Sequence, residues 1–143
     1  MAIVRSPVVE LFWRCHKHLY RWSGGRIGAR MANLPVLLLA TVGRRSGTPR
    51  LNALTYLPWS GDRFVVIASV LGEPRHPAWY LNLVARPEVS IQVGARRIAV
   101  HAREAEGEER EAIWSALVEQ SPEYEQYRER TGRRIPVVVL TPR

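Results

Sequence analysis

The sequence predicts an α+β domain that is mainly β, an antiparallel barrel with helices over its openings and an amphipathic helix ahead of it. Three observations carry this. Short apolar runs of strand length are bounded by glycine and proline. Hairpin-type connections dominate between them. No repeated strand-helix alternation points to a parallel sheet. With 143 residues and 46% hydrophobic content, the chain buries one core without disulfides or a structural metal.

Residues 7 to 22, PVVELFWRCHKHLYRW, place Val8, Leu11, Phe12, Cys15 and Leu19 at helical steps, with Arg14, Lys17, His18 and Arg21 opposite. SGG ends this basic helix, and RIGARMANLP is a connector closed by Pro35. The boundary falls at residues 33 and 34, with a basic segment over 1–33 and the barrel domain over 34–143. Val36 to Val42 reads as a strand buried on both faces, and Leu51 to Trp59 as its antiparallel partner. PWSGDR is a hairpin signal, and FVVIASV over 64–70 is the next strand. In GEPRHPAWYLNLVARP, Pro77 suits the first turn of a short crossover helix that Pro87 blocks. Residues 88–106 read as two strands around Gly94 and Ala95. GEEREAIWSALVEQ opens a helix with glutamates where the dipole favours them. SPEYEQYRERTG starts another, with Ser121 as N-cap and Pro122 at the first position, and IPVVVLTP is a closing strand. The tally is about six strands and three or four helices.

The formal charge of +8 is unevenly placed. Residues 1–50 hold eight arginines and one lysine against the single acid Glu10, whereas residues 51–143 hold twelve arginines against twelve acids. The excess implies an anionic partner at the N-terminal end: a phosphorylated ligand, a membrane surface or a nucleic acid. One cysteine, Cys15, leaves no intramolecular disulfide and points to a reducing, cytoplasmic setting. The apolar runs are too short to span a bilayer, and no cleavable signal precedes them, so a soluble body is expected. No metal site is expected, since His16 and His18 point in different directions on a helix and no Cys/His grouping has ligand spacing.

Three stretches could carry chemistry. In GRRSGTPR, Gly43 and Gly47 would let the backbone approach a ligand, Ser46 offers a hydroxyl, and Arg44, Arg45 and Arg50 would pair with phosphate or carboxylate oxygens; equally, the stretch could be a solvated hairpin tip. In EPRHPAW, His76 stands where it could cap a helix, and Trp79 could be core or a ligand platform. Tyr124 and Tyr127 share a helical face and could donate protons or hydrogen bonds, or simply pack.

Taken in order, LLLATVGRRSGTPR, FVVIASV, PRHPAWYLNL with RPEVSIQVG, and YEQYRERTGRRIPVVVL resemble the deazaflavin-dependent nitroreductase family over roughly residues 34–141. The resemblance implies a split β-barrel of the FMN-binding type and coenzyme F420, an 8-hydroxy-5-deazaflavin with a phosphodiester and an oligoglutamate tail. It makes Gly43, Arg44, Arg45, Ser46 and Arg50 the cradle for phosphate and tail. Ala68, Ser69 and Val70 would border the ring, and Pro77, Ala78, Trp79 and Asn82 would line the cofactor channel. Ser69, Tyr124 and Tyr127 become the candidate catalytic residues, in a hydride transfer to a small-molecule electrophile: a quinone, a nitroaromatic or an activated enone.

Departures from the family pattern are visible too. VLG replaces the Lys-Gly-Gly of many relatives after the serine, and Thr55 and Ser121 stand where some members carry rings. Weak nitroreductase activity and a different acceptor range are expected. The basic helix either covers the pocket or binds an anionic membrane surface peripherally on the inner face of the cell membrane. The alternatives are the same barrel with FMN, or a non-catalytic binder of anionic lipid or nucleic acid. No nucleic-acid motif is present, and none is the expected partner. The chain is expected to be a monomer or homodimer.

Overall fold

The computed structural model describes residues 30–31, 34–69 and 75–143. The predicted basic helix over 7–22 and Val70 lie outside them. The strands are β1 (Arg30–Met31), β2 (Leu34–Val42), β3 (Pro49–Thr55), β4 (Leu57–Trp59), β5 (Arg63–Ile67), β6 (Glu88–Val93), β7 (Arg96–Glu104) and β8 (Val137–Pro142). The helices are α1 (Ala78–Ala85), α2 (Gly107–Gln120) and α3 (Glu123–Arg130).

Every strand pairing is antiparallel. From β2 the sheet runs through β6, β7, β8 and β5 to β4, and β3 pairs with β2 at the other end. Strands β3 and β4, at opposite ends of this path, are separated only by Tyr56. A sheet whose two ends are joined through one residue must curl on itself, and this curl makes the barrel. Leu51 to Trp59 is therefore two strands where one was expected. The chain changes pairing partner at Tyr56, whose N–H donates to the Pro35 carbonyl at 2.9 Å before Leu57 joins β5. The connector ahead of β2 also differs, because Arg30 and Met31 pair with Pro35 and Leu34, so that Pro35 lies inside a strand.

The alternation of strand side chains divides the core in two. Leu37, Leu39, Val66, Ile91, Val100 and Leu140 pack with Trp79 and Leu83 of α1. Val65, Val137 and Val139 face the other way, against Ile113, Trp114 and Leu117 of α2 and Tyr124 of α3. β5 and β8 are thus buried on both faces, which accounts for their unbroken valine runs. Each fully buried aliphatic side chain here contributes roughly 1.5–3 kcal/mol.

Ser121 does not cap α3. It closes α2 instead, its N–H donating to the Leu117 carbonyl at 2.8 Å, while its buried hydroxyl has no partner among the described residues. Helix α3 begins at Glu123 after Pro122 without a side-chain cap. Helix α1 likewise follows Pro77 uncapped, so His76 is no cap; its ring packs on Tyr80 with centroids 4.9 Å apart.

Candidate functional site

The β2–β3 hairpin ends in a hydrogen-bonded turn. Gly43 N donates to Thr48 O at 2.8 Å, Gly47 N to Gly43 O at 2.9 Å, and Thr48 N to Ser46 Oγ at 3.1 Å. Gly47 takes φ +70°, a left-handed conformation that glycine enters without a Cβ clash. Ser46 Oγ lies so close to Gly43 that a Cβ there would stand 2.5 Å from it. The turn projects Arg44, Arg45 and Arg50 into solvent, and no carboxylate among the described residues pairs with them.

Helix α1 fastens this turn from behind. The buried Asn82 accepts from Arg44 N at 3.1 Å and from Arg44 Nη1 at 3.3 Å through Oδ1, and donates from Nδ2 to Thr41 Oγ1 at 3.2 Å. Both ends of the amide are held, which fixes its orientation and ties the hairpin to the helix.

The turn opens onto a cavity of about 830 Å³, a size suited to a cofactor with a substrate beside it. Arg44, Arg45, Ser46 and Arg50 edge it; β3 forms one wall from Leu51 to Thr55, and Pro77, Ala78, Trp79 and Asn82 form another. No residue of β3 is fully buried, and Arg50 to Thr55 all line this space. Ser69, Tyr124 and Tyr127 reach the same cavity. The tyrosine rings meet edge to face with centroids 5.3 Å apart, and Tyr124 Oη lies 2.9 Å from Thr55 Oγ1. Burial pushes the Tyr124 phenol above its usual range, while the Thr55 hydrogen bond pulls the other way.

The residues that the family resemblance assigned to cofactor and catalysis thus converge on one space, apart from two. Ala68 is fully buried in the core and is not part of the cavity wall; Val70 lies outside the described residues. Trp79 satisfies both readings weighed for it, packing in the core and lining the cavity. Sequence reasoning missed Arg75, which lines the cavity, and Arg133, which reaches behind Ser69. Arg133 Nη2 donates to Ala68 O at 2.8 Å and to Ser69 O at 2.9 Å, and its Nη1 lies 3.1 Å from His76 Nδ1. Burial pushes its guanidinium down from the ordinary value. No local signal marked Arg133, since its carbonyl partners stand 65 and 64 residues away.

A curled antiparallel sheet whose large cavity is basic at one edge and apolar and phenolic at the other is a split barrel with a site for an anionic cofactor. The chain matches the family model described as F420H(2)-dependent quinone reductase over residues 12–142. It is 42% identical over 134 residues to an F420H(2)-dependent quinone reductase of Mycobacterium tuberculosis strain H37Rv, covering 91% of this chain and 89% of that protein. A solved structure of an F420-H2 dependent reductase is 40% identical and superposes with a TM-score of 0.67 over 74% of this chain and 93% of its own. Another, described as a domain-swapped dimer, is 34% identical with a TM-score of 0.68 over 92% and 98%. The chain belongs to the F420H(2)-dependent quinone reductase family; it is an oxidoreductase, and its cofactor is coenzyme F420. The FMN and non-catalytic alternatives are not favoured. The family match begins at residue 12, upstream of the motifs that first carried the resemblance.

The residues present fit that cofactor. A phosphodiester and a chain of carboxylates need several cations not already neutralised by an acid, and the turn offers three guanidiniums that pair with no carboxylate among the described residues, beside a backbone that glycine keeps open.

Proposed function

We propose that this chain reduces a quinone at the cavity, with the tail of F420 held by Arg44, Arg45, Ser46 and Arg50 and the acceptor placed near Ser69, Tyr124 and Tyr127. The observation that carries the proposal is that three arginines with no carboxylate partner among the described residues and the buried phenol open on one continuous cavity. Bound F420H2 supplies the hydride, from C5 of its deazaflavin ring. The arginine turn anchors the cofactor by charge-assisted hydrogen bonds. Asn82 positions Arg44 rather than reserving its own amide for a ligand. Pro77, Ala78 and Trp79 supply an apolar wall that excludes water from the reacting end.

At the acceptor, Tyr124 keeps its proton at neutral pH as an ordinary phenol does, and burial disfavours the phenolate further. With Thr55 donating to Tyr124 Oη, the phenolic hydrogen is directed away from Thr55, available to a quinone oxygen on which negative charge develops. Ser69 offers a second hydroxyl on the cavity surface. Nitroaromatics and activated enones fall within the same acceptor chemistry. The cytoplasmic setting expected from the single cysteine belongs to this reading. Attachment to a membrane would rest on residues 7–22, outside the described residues, and no helix among the described residues is long and apolar enough to cross one. The relative described as a domain-swapped dimer supports self-association.

The test is a fluorescence titration of the protein with oxidised F420 and, separately, FMN, followed by turnover of a soluble benzoquinone with F420H2. Selective binding of F420 and quinone-dependent oxidation of F420H2 are expected. Binding of FMN alone, or no turnover with the quinone, would overturn the proposal.

A further inference from the structure

In an extended strand, consecutive carbonyls point to opposite sides. At the end of β5 they do not: the carbonyls of Ala68 and Ser69 both meet one nitrogen, Arg133 Nη2, at 2.8 and 2.9 Å. These carbonyls belong to the two peptide planes that flank the Ser69 Cα. Peptide planes are rigid, so only the φ and ψ of Ser69 lie between them. A single donor group holding both planes therefore restrains both angles and, with them, the direction in which the Ser69 side chain leaves the backbone. Ser69 is 7% exposed and lines the cavity, so that direction decides where its hydroxyl sits relative to anything bound there.

Arg133 is itself held from the far side. Its Nη1 lies 3.1 Å from His76 Nδ1, the His76 ring packs on Tyr80, and the Tyr80 hydroxyl donates to Glu104 Oε1 at 2.5 Å. One guanidinium thus joins the exit of β5 to His76, two residues ahead of α1, and both elements line the cavity. The planar fork of arginine suits this role, because a lysine ammonium has no fixed geometry with which to hold two carbonyls and an imidazole together.

We propose that Arg133 is a positioning residue that acts through Ser69, setting the hydroxyl in the geometry needed for reduction of the acceptor. The inference rests on the reading of Ser69 as a residue of the reacting end. Because the arginine turn that anchors the cofactor tail is a separate element, loss of Arg133 should appear in the chemical step more than in cofactor binding.

The experiment combines Arg133→Met, Ser69→Ala and the double variant, with kcat and KM for a soluble benzoquinone, the dissociation constant for oxidised F420, and amide hydrogen exchange over residues 68–76. Arg133→Met should lower kcat about tenfold while changing F420 affinity by less than about threefold, and exchange near Ser69 should quicken. The double variant should lose no more kcat than Ser69→Ala alone, because the two residues act as one unit. Should Arg133→Met fail to fold, Arg133→Lys, which keeps the charge and loses the fork, carries the same comparisons. Additive losses in the double variant, or unchanged exchange with unchanged kcat, would overturn the proposal and leave the proposed function standing. An unimpaired Ser69→Ala enzyme would overturn it together with the assigned role of Ser69, and failure of the unaltered protein to bind F420 would sink both readings.

Discussion

The hydroxyl oxygens of Tyr124 and Thr55 meet at 2.9 Å, joining α3 to β3 across 69 residues of sequence at the wall of the cavity. Thr55→Val keeps the shape of the side chain and removes this contact, leaving a buried phenol without that partner. We expect a loss of about 1–2 kcal/mol in chemical denaturation. Because the Thr55 bond lowers the Tyr124 pKa against the dominant effect of burial, the phenol should titrate at still higher pH in the variant. Spectrophotometric titration of phenolate absorbance checks this. A downward shift would mean that Tyr124 is the donor in this hydrogen bond, so that Thr55 favours the neutral phenol.

Alkaline stability follows from Tyr80 in the same way. Burial, and then its hydrogen bond to Glu104, push its phenol up to about 12 from an ordinary 10. A raised folded pKa means that, above pH 10, the folded chain binds more protons than the unfolded one. The stabilisation is therefore fully present below pH 10 and is lost as pH rises from 10 towards 12. Glu104→Gln removes the charge that opposes ionisation and should bring the Tyr80 transition down towards its ordinary value. Denaturation midpoints measured across this alkaline range should fall less steeply in the variant than in the parent.

Much of this architecture could be read from local pattern, because the relevant forces act over a few residues. The turn at Gly94 and Ala95, the acidic start of α2 and the glycines of the arginine turn are set by φ preferences and end charges. The change of partner at Tyr56 had no such signal, since the apolar run continues across it and only the closure of the barrel decides which neighbour each half pairs with. Ser121 misled for a related reason. Its Ser-Pro sequence suits a helix start, yet α2 runs on to Gln120 and takes the Ser121 N–H as its own last bond. At the site, the residues that present chemistry were legible by type, whereas those that hold them were not. Asn82 is legible as a residue of the cavity wall, but its hold on Arg44 and Thr41 is not, because those partners stand 38 and 41 residues away, and Arg133 reads in sequence as one charge among many.

The arginine turn should behave as a binding element and not as part of the folding core. Arg44, Arg45 and Arg50 are exposed and pair with no carboxylate among the described residues, so alanine at each should leave thermal stability nearly unchanged. Each loss should weaken F420 binding by roughly tenfold, the scale of a charge-assisted hydrogen bond. The salt dependence of binding should flatten as charges are removed. Isothermal titration at two ionic strengths separates these effects, and equal salt dependence in the parent and a triple variant would argue that the tail lies elsewhere.

Two glycines of the same turn should fail in opposite ways. Gly47→Ala adds a Cβ into open space, but at φ +70° it strains the backbone by about 1–2 kcal/mol, so the melting temperature should fall by several degrees. Its effect on F420 affinity should be small, because Ser46 and the guanidiniums keep their positions. Gly43→Ala has no left-handed backbone to strain, yet its Cβ would stand 2.5 Å from Ser46 Oγ and 3.3 Å from the Thr48 carbonyl. Ser46 can turn away at little cost to folding, but its bond to Thr48 N is then lost and its hydroxyl leaves the cavity edge. Gly43→Ala should therefore bind F420 more weakly with a nearly unchanged melting temperature, and Ser46→Ala should reproduce the binding defect without the clash. If Gly43→Ala instead lowers the melting temperature as much as Gly47→Ala and leaves affinity intact, Ser46 holds the turn together and does not help to hold the cofactor.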